Sequence, residues 1–254
     1  TRPRPAVVPL TYAQSRLCFI DQLQGASHLY NRAVALRLCG DLDKRALGVG
    51  LTDVVRRHEA LRTVFSAVDG IPRQVVMPAA RSDFGWQVVD ATGWPADRLD
   101  AAIKDTARHP FHLATEIPLW AKLFRVDERN HVVVVVVHHI AGDGWSISVL
   151  ASDLIAAYIS RCAGRAPDWA ELPVQYIDYT LWQRDNLGDL TDRESPLAAQ
   201  VAYWEEALAG MPQRLELPTD RPYPPVADHR GDQVRVDWPA LLQQQIHQLA
   251  REHN

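Results

Sequence analysis

The sequence predicts an α/β fold in which a mixed sheet is covered by helices. Two observations support this prediction. Helix-like and strand-like patterns alternate along most of the chain. In addition, the six consecutive valines at residues 132–137 lack the polar alternation of a strand that has one face in water. Such a strand must be buried on both faces, so it belongs at the centre of a sheet between two layers.

The first half of the chain contains three helical patterns and three strand patterns. The first helix carries Leu17, Ile20 and Leu23 on one side, and Asp43 can cap the second helix. The next two strands form a hairpin because an Asp-Gly pair at residues 69–70 separates them. The predicted elements are a helix at 11–24, a strand at 31–40, a helix at 41–61, a hairpin at 62–76 and a helix at 95–108.

The second half begins with two strands joined by a short turn and continues mainly as helices. The helix after the valine strand carries Ile147, Leu150, Leu154 and Tyr158 in register. Four prolines in residues 217–231 predict an extended loop. The predicted elements are strands at 120–127 and 131–139, a helix from 146, a loop at 163–173, helices at 174–185 and 196–209, a strand at 232–238 and a helix from 239.

Composition narrows the functional classes. The chain has 254 residues, 47% of them hydrophobic and 23% charged, with a net charge of -4. The lack of a basic stripe argues against a nucleic-acid partner, and the lack of a long apolar run argues against a membrane. The three cysteines are far apart and in no metal-ligand spacing. Free thiols of this kind indicate a cytoplasmic protein without a metal site.

The valine strand ends in two histidines. Because side chains alternate along a strand, His138 and His139 must point to opposite faces. Adjacent strand histidines are therefore poorly placed to bind one metal ion with Asp143 as a third ligand. One imidazole can project into a cleft while the other anchors the strand end. The simpler interpretation is that both are core histidines bonded to the backbone, and an isolated His-His pair does not exclude it.

Asp143 lies between Gly142 and Gly144, directly after the valine strand. A buried carboxylate requires a partner, because an unpaired buried charge is strongly unfavourable. Arg62 is surrounded by apolar residues where a helix meets a strand, so its guanidinium also requires one. We therefore predict that Asp143 and Arg62 form a buried bidentate contact.

Five segments, in order, resemble the condensation domains of nonribosomal peptide synthetases. The segment "HHIAGDGWS" at 138–146 matches the family motif HHxxxDGxS, and "RHEALRTVF" at 57–65 matches RHExLRTxF. The segments at 10–23, 176–184 and 217–225 are also typical of the family. The sequence departs from the usual pattern at Thr11, Cys18 and His112. The resemblance implies a fold similar to that of chloramphenicol acetyltransferase.

The resemblance also implies a reaction. A donor acyl or peptidyl thioester arrives on the 4'-phosphopantetheine arm of an upstream peptidyl carrier protein. The amine of an aminoacyl group on a downstream carrier protein attacks it and forms a peptide bond. The domain itself needs no cofactor, because the thioester is already activated. An adjacent adenylation domain is a further expected partner.

The family motif assigns roles to residues of this chain. His139 is the expected catalytic residue, either as a general base or as a group that positions the amine. His138, Asp143, Gly144 and Arg62 are expected to form the scaffold of the active site. The substrate tunnel is expected to run past Trp145 and Ser146, although Trp145 is predicted to serve mainly in packing.

The resemblance predicts two lobes, of which the second is incomplete. Residues 1–165 form the first lobe, and residues 166–254 form a linker and the start of the second. The tunnel of the family lies between the lobes, so this chain alone is expected to be inactive. Apolar residues near its end should lack their normal cover, namely Val234, Val236, Leu241, Leu242 and Ile246. We expect them to be buried against the first lobe or against a second copy of the chain, or not to occupy their family position.

Four alternatives remain at this point. A cyclisation relative is disfavoured because it would carry aspartates in place of the histidine pair. An epimerisation relative usually differs after the aspartate, where "GWS" at 144–146 favours condensation. A coenzyme-A-dependent acyltransferase is disfavoured by the segments at 61–65 and 176–182. A non-catalytic module that docks a carrier protein stays open for this chain.

Overall fold

A computed structural model describes residues 3–212, 214–225, 234 and 236–253. The α/β prediction is confirmed, because a four-stranded mixed sheet is packed between helices. The strands are β1 (Asn31–Cys39), β2 (Thr63–Val68), β3 (Ile71–Val76), β4 (Gln87–Asp90), β5 (Leu119–Arg125) and β6 (Asn130–His138). The helices are α1 (Tyr12–Gln24), α2 (Lys44–Arg57), α3 (Ala96–Ala107), α4 (Gly144–Cys162), α5 (Tyr176–Leu187), α6 (Pro196–Ala207) and α7 (Ala240–Glu252).

The sheet has the strand order β1-β6-β5-β4, and β2 and β3 form a separate hairpin. Strand β6 pairs antiparallel with β1 and β5, whereas β4 pairs parallel with β5. The sequence patterns did not predict β4, which has only four residues. The hairpin turn is formed by Asp69 and Gly70, both with positive φ, as a tight Asp-Gly turn requires.

Three other predictions need correction. The helix predicted at 41–61 ends at Arg57, and residues 59–62 form a separate 3-10 turn. The helix predicted from Ser146 begins two residues earlier, at Gly144, because Asp143 caps it. Of the strand predicted at 232–238, residues 232, 233 and 235 lie outside the described residues, and the other four are not in a strand.

The valines of β6 contribute to two different layers of the core. Val132, Val134 and Val136 join a cluster that includes Phe111 and residues of α1 and α3. Val133 and Val137 pack on the other side of the sheet, with residues of α2. Val134 and Val136 are fully buried. Strand β6 is therefore the buried centre that its sequence predicts.

Ion pairs hold α4, the helix that follows β6, against α2. Arg161 makes a bidentate contact with the buried carboxylate of Asp53, with distances of 2.6 Å and 2.7 Å. At the other end of the contact, Asp153 accepts a hydrogen bond from Arg57 Nε at 3.0 Å and lies 2.7 Å from His58 Nε2. Because two separate ion-pair contacts join these helices, the position of α4 relative to α2 is well determined.

The chain divides into two compact units, residues 1–211 and 212–254. Helix α5 belongs to the first, since Arg184 donates to the carbonyl of Leu10 and Asp178 pairs with Arg4. A lobe boundary at 165 and 166 stays a prediction. In the second unit the apolar side chains near the end of the chain are 39–89% exposed: Val234, Val236, Leu241, Leu242 and Ile246. Their predicted burial against the first lobe or against a second copy stays a prediction.

His138 ends β6 inside the core. Its ring lies near those of Tyr30 and Phe111, and its Nδ1 accepts a hydrogen bond from the amide of Ile140 at 3.1 Å. Burial lowers the pKa of His138 from 6.5 to about 4, and the neighbouring His139 contributes to the same shift. The imidazole is therefore neutral at pH 7 and anchors the end of the strand.

This shift predicts acid sensitivity. Because the pKa of His138 is lower in the folded than in the unfolded state, its contribution to stability is complete above pH 6.5 and is lost as the pH falls toward 4. The expected loss of unfolding free energy from this group is up to about 3 kcal/mol. In the variant His138→Asn, whose side-chain oxygen can accept from Ile140, the pH dependence should be smaller by that amount. Denaturant titration at several pH values gives the free energy of unfolding of both proteins. An equal change of this free energy with pH in the parent and in His138→Asn would contradict the prediction.

Candidate active site

The turn between β6 and α4 places the predicted site residues next to one another. The amide of His139 donates to the carbonyl of Tyr30 at 2.8 Å, which continues the pairing of the sheet by one residue. The amide of Ala141 donates to the carbonyl of His138 at 2.9 Å and closes the turn. The side chain of Ile140 is buried. The backbone of the turn is thereby fixed to the sheet.

The two imidazoles have separate surroundings, as the alternation along the strand predicts. His138 lies in the aromatic layer described above, whereas His139 is half-buried and turns toward polar groups. His139 Nδ1 lies 2.8 Å from the carbonyl oxygen of Gly142. Since a carbonyl oxygen can only accept, Nδ1 must carry the hydrogen, and Nε2 of the neutral ring is then an acceptor. The turn therefore selects the tautomer of His139.

Asp143 caps helix α4. Its Oδ1 accepts hydrogen bonds from the amide of Ser146 at 2.9 Å and from the Ser146 hydroxyl at 2.8 Å. The same hydroxyl accepts from the amide of Asp143 at 3.1 Å. These bonds, chiefly the one from the backbone of Ser146, hold the pKa of the Asp143 carboxyl below its ordinary value. Asp143 and Ser146 thus form a reciprocal capping box at the start of the helix.

The predicted contact between Asp143 and Arg62 is wrong for this structure. Asp143 is exposed, and Arg62 Nη1 instead donates to the carbonyl of Met77 at 2.6 Å. Arg62 Nη2 lies 3.6 Å from Glu59, and the buried Nε has no partner among the described residues. The free amides of the α4 N-terminus lie next to Asp143 in the chain, so the local cap forms in place of the long-range ion pair.

Gly144 and Trp145 are more open than the rest of the turn. Apart from the neighbouring residues in the chain and the backbone of its own helix, no atom lies within 4 Å of the position that a Cβ of Gly144 would occupy, so there is free space beside it. The side chain of Trp145 is 84% exposed, and the prediction that it serves in packing is wrong for this structure. Its role in a substrate tunnel stays a prediction.

A cleft of about 230 Å³ lies beside the first turns of α4. Trp145, Ser146 and Val149 of α4 form one wall, and residues 172 and 174–176 form another. The sequence patterns did not assign these later residues to the site, because a loop gives no periodic signal. The lining is mainly apolar, so the cleft can bind an uncharged chain more readily than a charged group.

The sequence patterns also did not assign Arg32 to the site. It lies on β1 opposite Val137, and its Nη2 is 3.4 Å from His139 Nε2. Only the register between β1 and β6 brings these two residues together, and the register is not visible in the sequence of either strand.

The residues that the structure describes contain no group of three His, Cys, Asp or Glu side chains able to hold a metal ion. They also contain no helix long and apolar enough to cross a bilayer.

Comparison with known proteins agrees with this architecture. Over 251 residues the chain is 66% identical to an isonitrile lipopeptide synthase of Mycobacterium tuberculosis, and it covers 10% of that protein. It is 42% identical to a dimodular nonribosomal peptide synthase of Bacillus subtilis, of which it also covers 10%. The chain itself is covered to 99% and 98%. It therefore spans about a tenth of the length of these two relatives.

Solved structures give the same result for the fold. The X-domain from teicoplanin biosynthesis is 36% identical, with a TM-score of 0.77, over 88% of this chain and 48% of that one. The starter condensation domain of rhizomide synthetase is 21% identical, with a TM-score of 0.68, over 82% of this chain and 49% of that one. The family model of the condensation domain matches residues 5–254. Together with the histidine turn and the sheet that carries it, this match shows that the chain belongs to the condensation-domain family.

Proposed function

We propose that this chain forms part of a domain that joins a donor acyl or peptidyl thioester to the amine of an aminoacyl acceptor, with His139 at the reacting atoms. The observation that carries this proposal is the state of the His139 ring. Its Nδ1 is bonded to Gly142, which leaves Nε2 as an acceptor for the attacking amine. The general activity of the family, peptide-bond formation, supports the proposal.

The proposed reaction needs little from the protein beyond positioning and proton handling. The lone pair of the acceptor nitrogen forms the new C–N bond, and the carbonyl electron pair moves to oxygen. When this pair returns, the C–S bond breaks and the thiolate leaves. The nitrogen gives up a proton, which His139 Nε2 can accept and which finally protonates the thiolate. A histidine that only holds the amine in line would serve the same step, and the turn supports either role.

The relatives support a proposal for the partners. Nonribosomal peptide synthetases are large proteins, and this chain matches a small share of each one named above. We propose that both substrates arrive on 4'-phosphopantetheine arms of carrier proteins, and that an adenylation domain is adjacent. The free space beside Gly144 suits the passage of such an arm. The epimerisation and coenzyme-A-dependent alternatives differ in what they do with the same histidine, so product analysis separates them.

A specific observation favours a second candidate. One solved structure, 37% identical to this chain with a TM-score of 0.78, is a complex of the X-domain from teicoplanin biosynthesis with OxyB. A condensation-like domain of that kind can therefore bind another protein. If this chain served only as a docking module, its binding to a partner would not depend on His139 Nε2. The next experiment distinguishes the two candidates.

Replacing His139 by alanine tests the catalytic proposal. In a protein that joins this chain to the remainder of a condensation domain, His139→Ala should slow amide formation by about 10²–10⁴-fold, because it removes the acceptor for the amine proton. The measurement follows product released from carrier-bound thioesters. The exposed His28 of the first unit, replaced by alanine in the same way, is the matched control. A His139→Ala protein that has an unchanged unfolding midpoint and the parent rate would contradict the role of His139. A parent protein that binds its partner but forms no amide would instead favour the docking module.

The isolated chain provides a second test. We expect the 254-residue chain to form no measurable amide, because it covers only 48% and 49% of the X-domain and starter condensation-domain structures that it resembles. The same chain with the remainder of a condensation domain should form it. Both proteins are given identical carrier-bound donor and acceptor, and product is measured by mass. Turnover by the 254 residues at the rate of the whole domain would show that the second lobe is dispensable.

A further inference from the structure

Arg32 places a cation beside the proposed reacting atoms. It lies on β1, the edge strand of the sheet, on the same face as Val137 and His139. Its Nη2 is 3.4 Å from His139 Nε2, the only ring nitrogen that the turn leaves open as an acceptor. The rest of the Arg32 side chain is exposed. The guanidinium therefore reaches the site from the edge of the sheet.

The guanidinium of Arg32 lacks an anionic partner within the described part of the chain. The carboxylates that form ion pairs there do so with other cations, such as Asp53 with Arg161 and Asp90 with Arg125. An arginine is charged at any pH at which the protein is folded and carries five hydrogen-bond donors in one plane. One contact with a ring nitrogen leaves most of these donors available. Arg32 is thus able to bind an anion next to His139.

The reaction proposed above creates such an anion. When the amine attacks, the carbonyl oxygen of the thioester gains a full negative charge, one bond away from the carbon to which the nitrogen is joining. When the acceptor amine binds, it takes the place of Arg32 Nη2 as the donor to His139 Nε2. The oxygen then lies within a few ångströms of Nε2, in reach of the Arg32 guanidinium. A donor already aimed at the place where charge develops lowers the barrier, because it needs no reorganisation during the reaction.

We propose that Arg32 is a further catalytic residue, which donates hydrogen bonds to the oxyanion of the tetrahedral intermediate. This inference rests on the proposed function. In the proposed step the oxyanion is bound while the C–N bond exists and the C–S bond is intact. It is released when the electron pair returns to the carbonyl and the thiolate leaves. Arg32 keeps its protons throughout, and the proton from nitrogen goes by way of His139 to sulfur.

The fold does not require the Arg32 side chain. Strand β1 pairs with β6 over nine residue positions, and the backbone makes these bonds whatever side chain residue 32 has. Substitution of an exposed side chain on this strand should therefore leave the fold intact. Arg37 provides a matched control, because it is an exposed arginine on the same strand. It lies opposite Val132, on the face away from His139.

Three variants of the whole domain test the inference. Arg32→Met keeps most of the length and removes the charge, Arg32→Lys keeps the charge, and Arg37→Met is the control. Amide formation is measured with carrier-bound substrates over a range of acceptor concentrations. Arg32→Met should lower kcat by about 10²-fold, as loss of an oxyanion donor does, with KM changed by less than about threefold. Arg32→Lys should recover most of the rate, and Arg37→Met should resemble the parent.

A fourth variant separates direct action from action through the histidine. In a His139→Ala background, Arg32→Met should cause a further loss of at least about tenfold, because the oxyanion still forms. No further loss would mean that Arg32 acts only on the His139 ring, and it would overturn the inference. An unchanged or raised kcat in Arg32→Met alone would also overturn it while leaving the proposed function intact. Absence of amide from the unaltered whole domain would overturn both.

Discussion

Burial of β6 on both faces is the constraint on which the rest of this structure depends. A polar side chain on a strand in this position is left unpaired in the core, as are both buried ring nitrogens of His131 near the start of β6 among the described residues. Polar chemistry can therefore begin only where the strand ends. The first two positions available are His138 and His139, and the pleat directs them into opposite layers. One anchors the strand in an aromatic environment, and the other reaches the open side of the turn.

The turn adds a second level of order that uses only local bonds. Gly142 fixes the ring of His139 by its carbonyl oxygen, and Asp143 uses its carboxylate to start helix α4. Helix α4 is in turn held to α2 by the pairs of Asp53 and Asp153. The histidine is thus connected through one short segment to a sheet and to a helix pair. A group that must meet two incoming substrates benefits from this rigidity, because errors of about 1 Å reduce rates strongly.

The features that the sequence predicted depend on residues that are close together in the chain. The features that it missed depend on residues that are far apart in the chain. The valine strand, the Asp-Gly hairpin turn and the opposite directions of the two histidines follow from neighbouring residues, and the structure contains all three. The contact between Asp143 and Arg62 required residues about 80 positions apart to prefer each other over nearby partners. Asp143 found free amides three residues away, and Arg62 found the carbonyl of Met77. The contact between Arg32 and His139 depends on strand register, which neither segment reveals alone.

The closed turn also explains why the spacing of its residues matters more than most of their identities. The hydrogen bond from His139 to Gly142 closes one ring of atoms, and the bonds between Asp143 and Ser146 close a second ring. Each ring joins residues three positions apart, and the second begins at the residue that follows the first. An inserted or deleted residue would break one of these rings. The imidazole of His139 and helix α4 would then lose their orientation relative to each other. Ala141 and Trp145 use only their backbones in these rings. Natural variation at this site should therefore change side chains at such positions while the number of residues stays fixed.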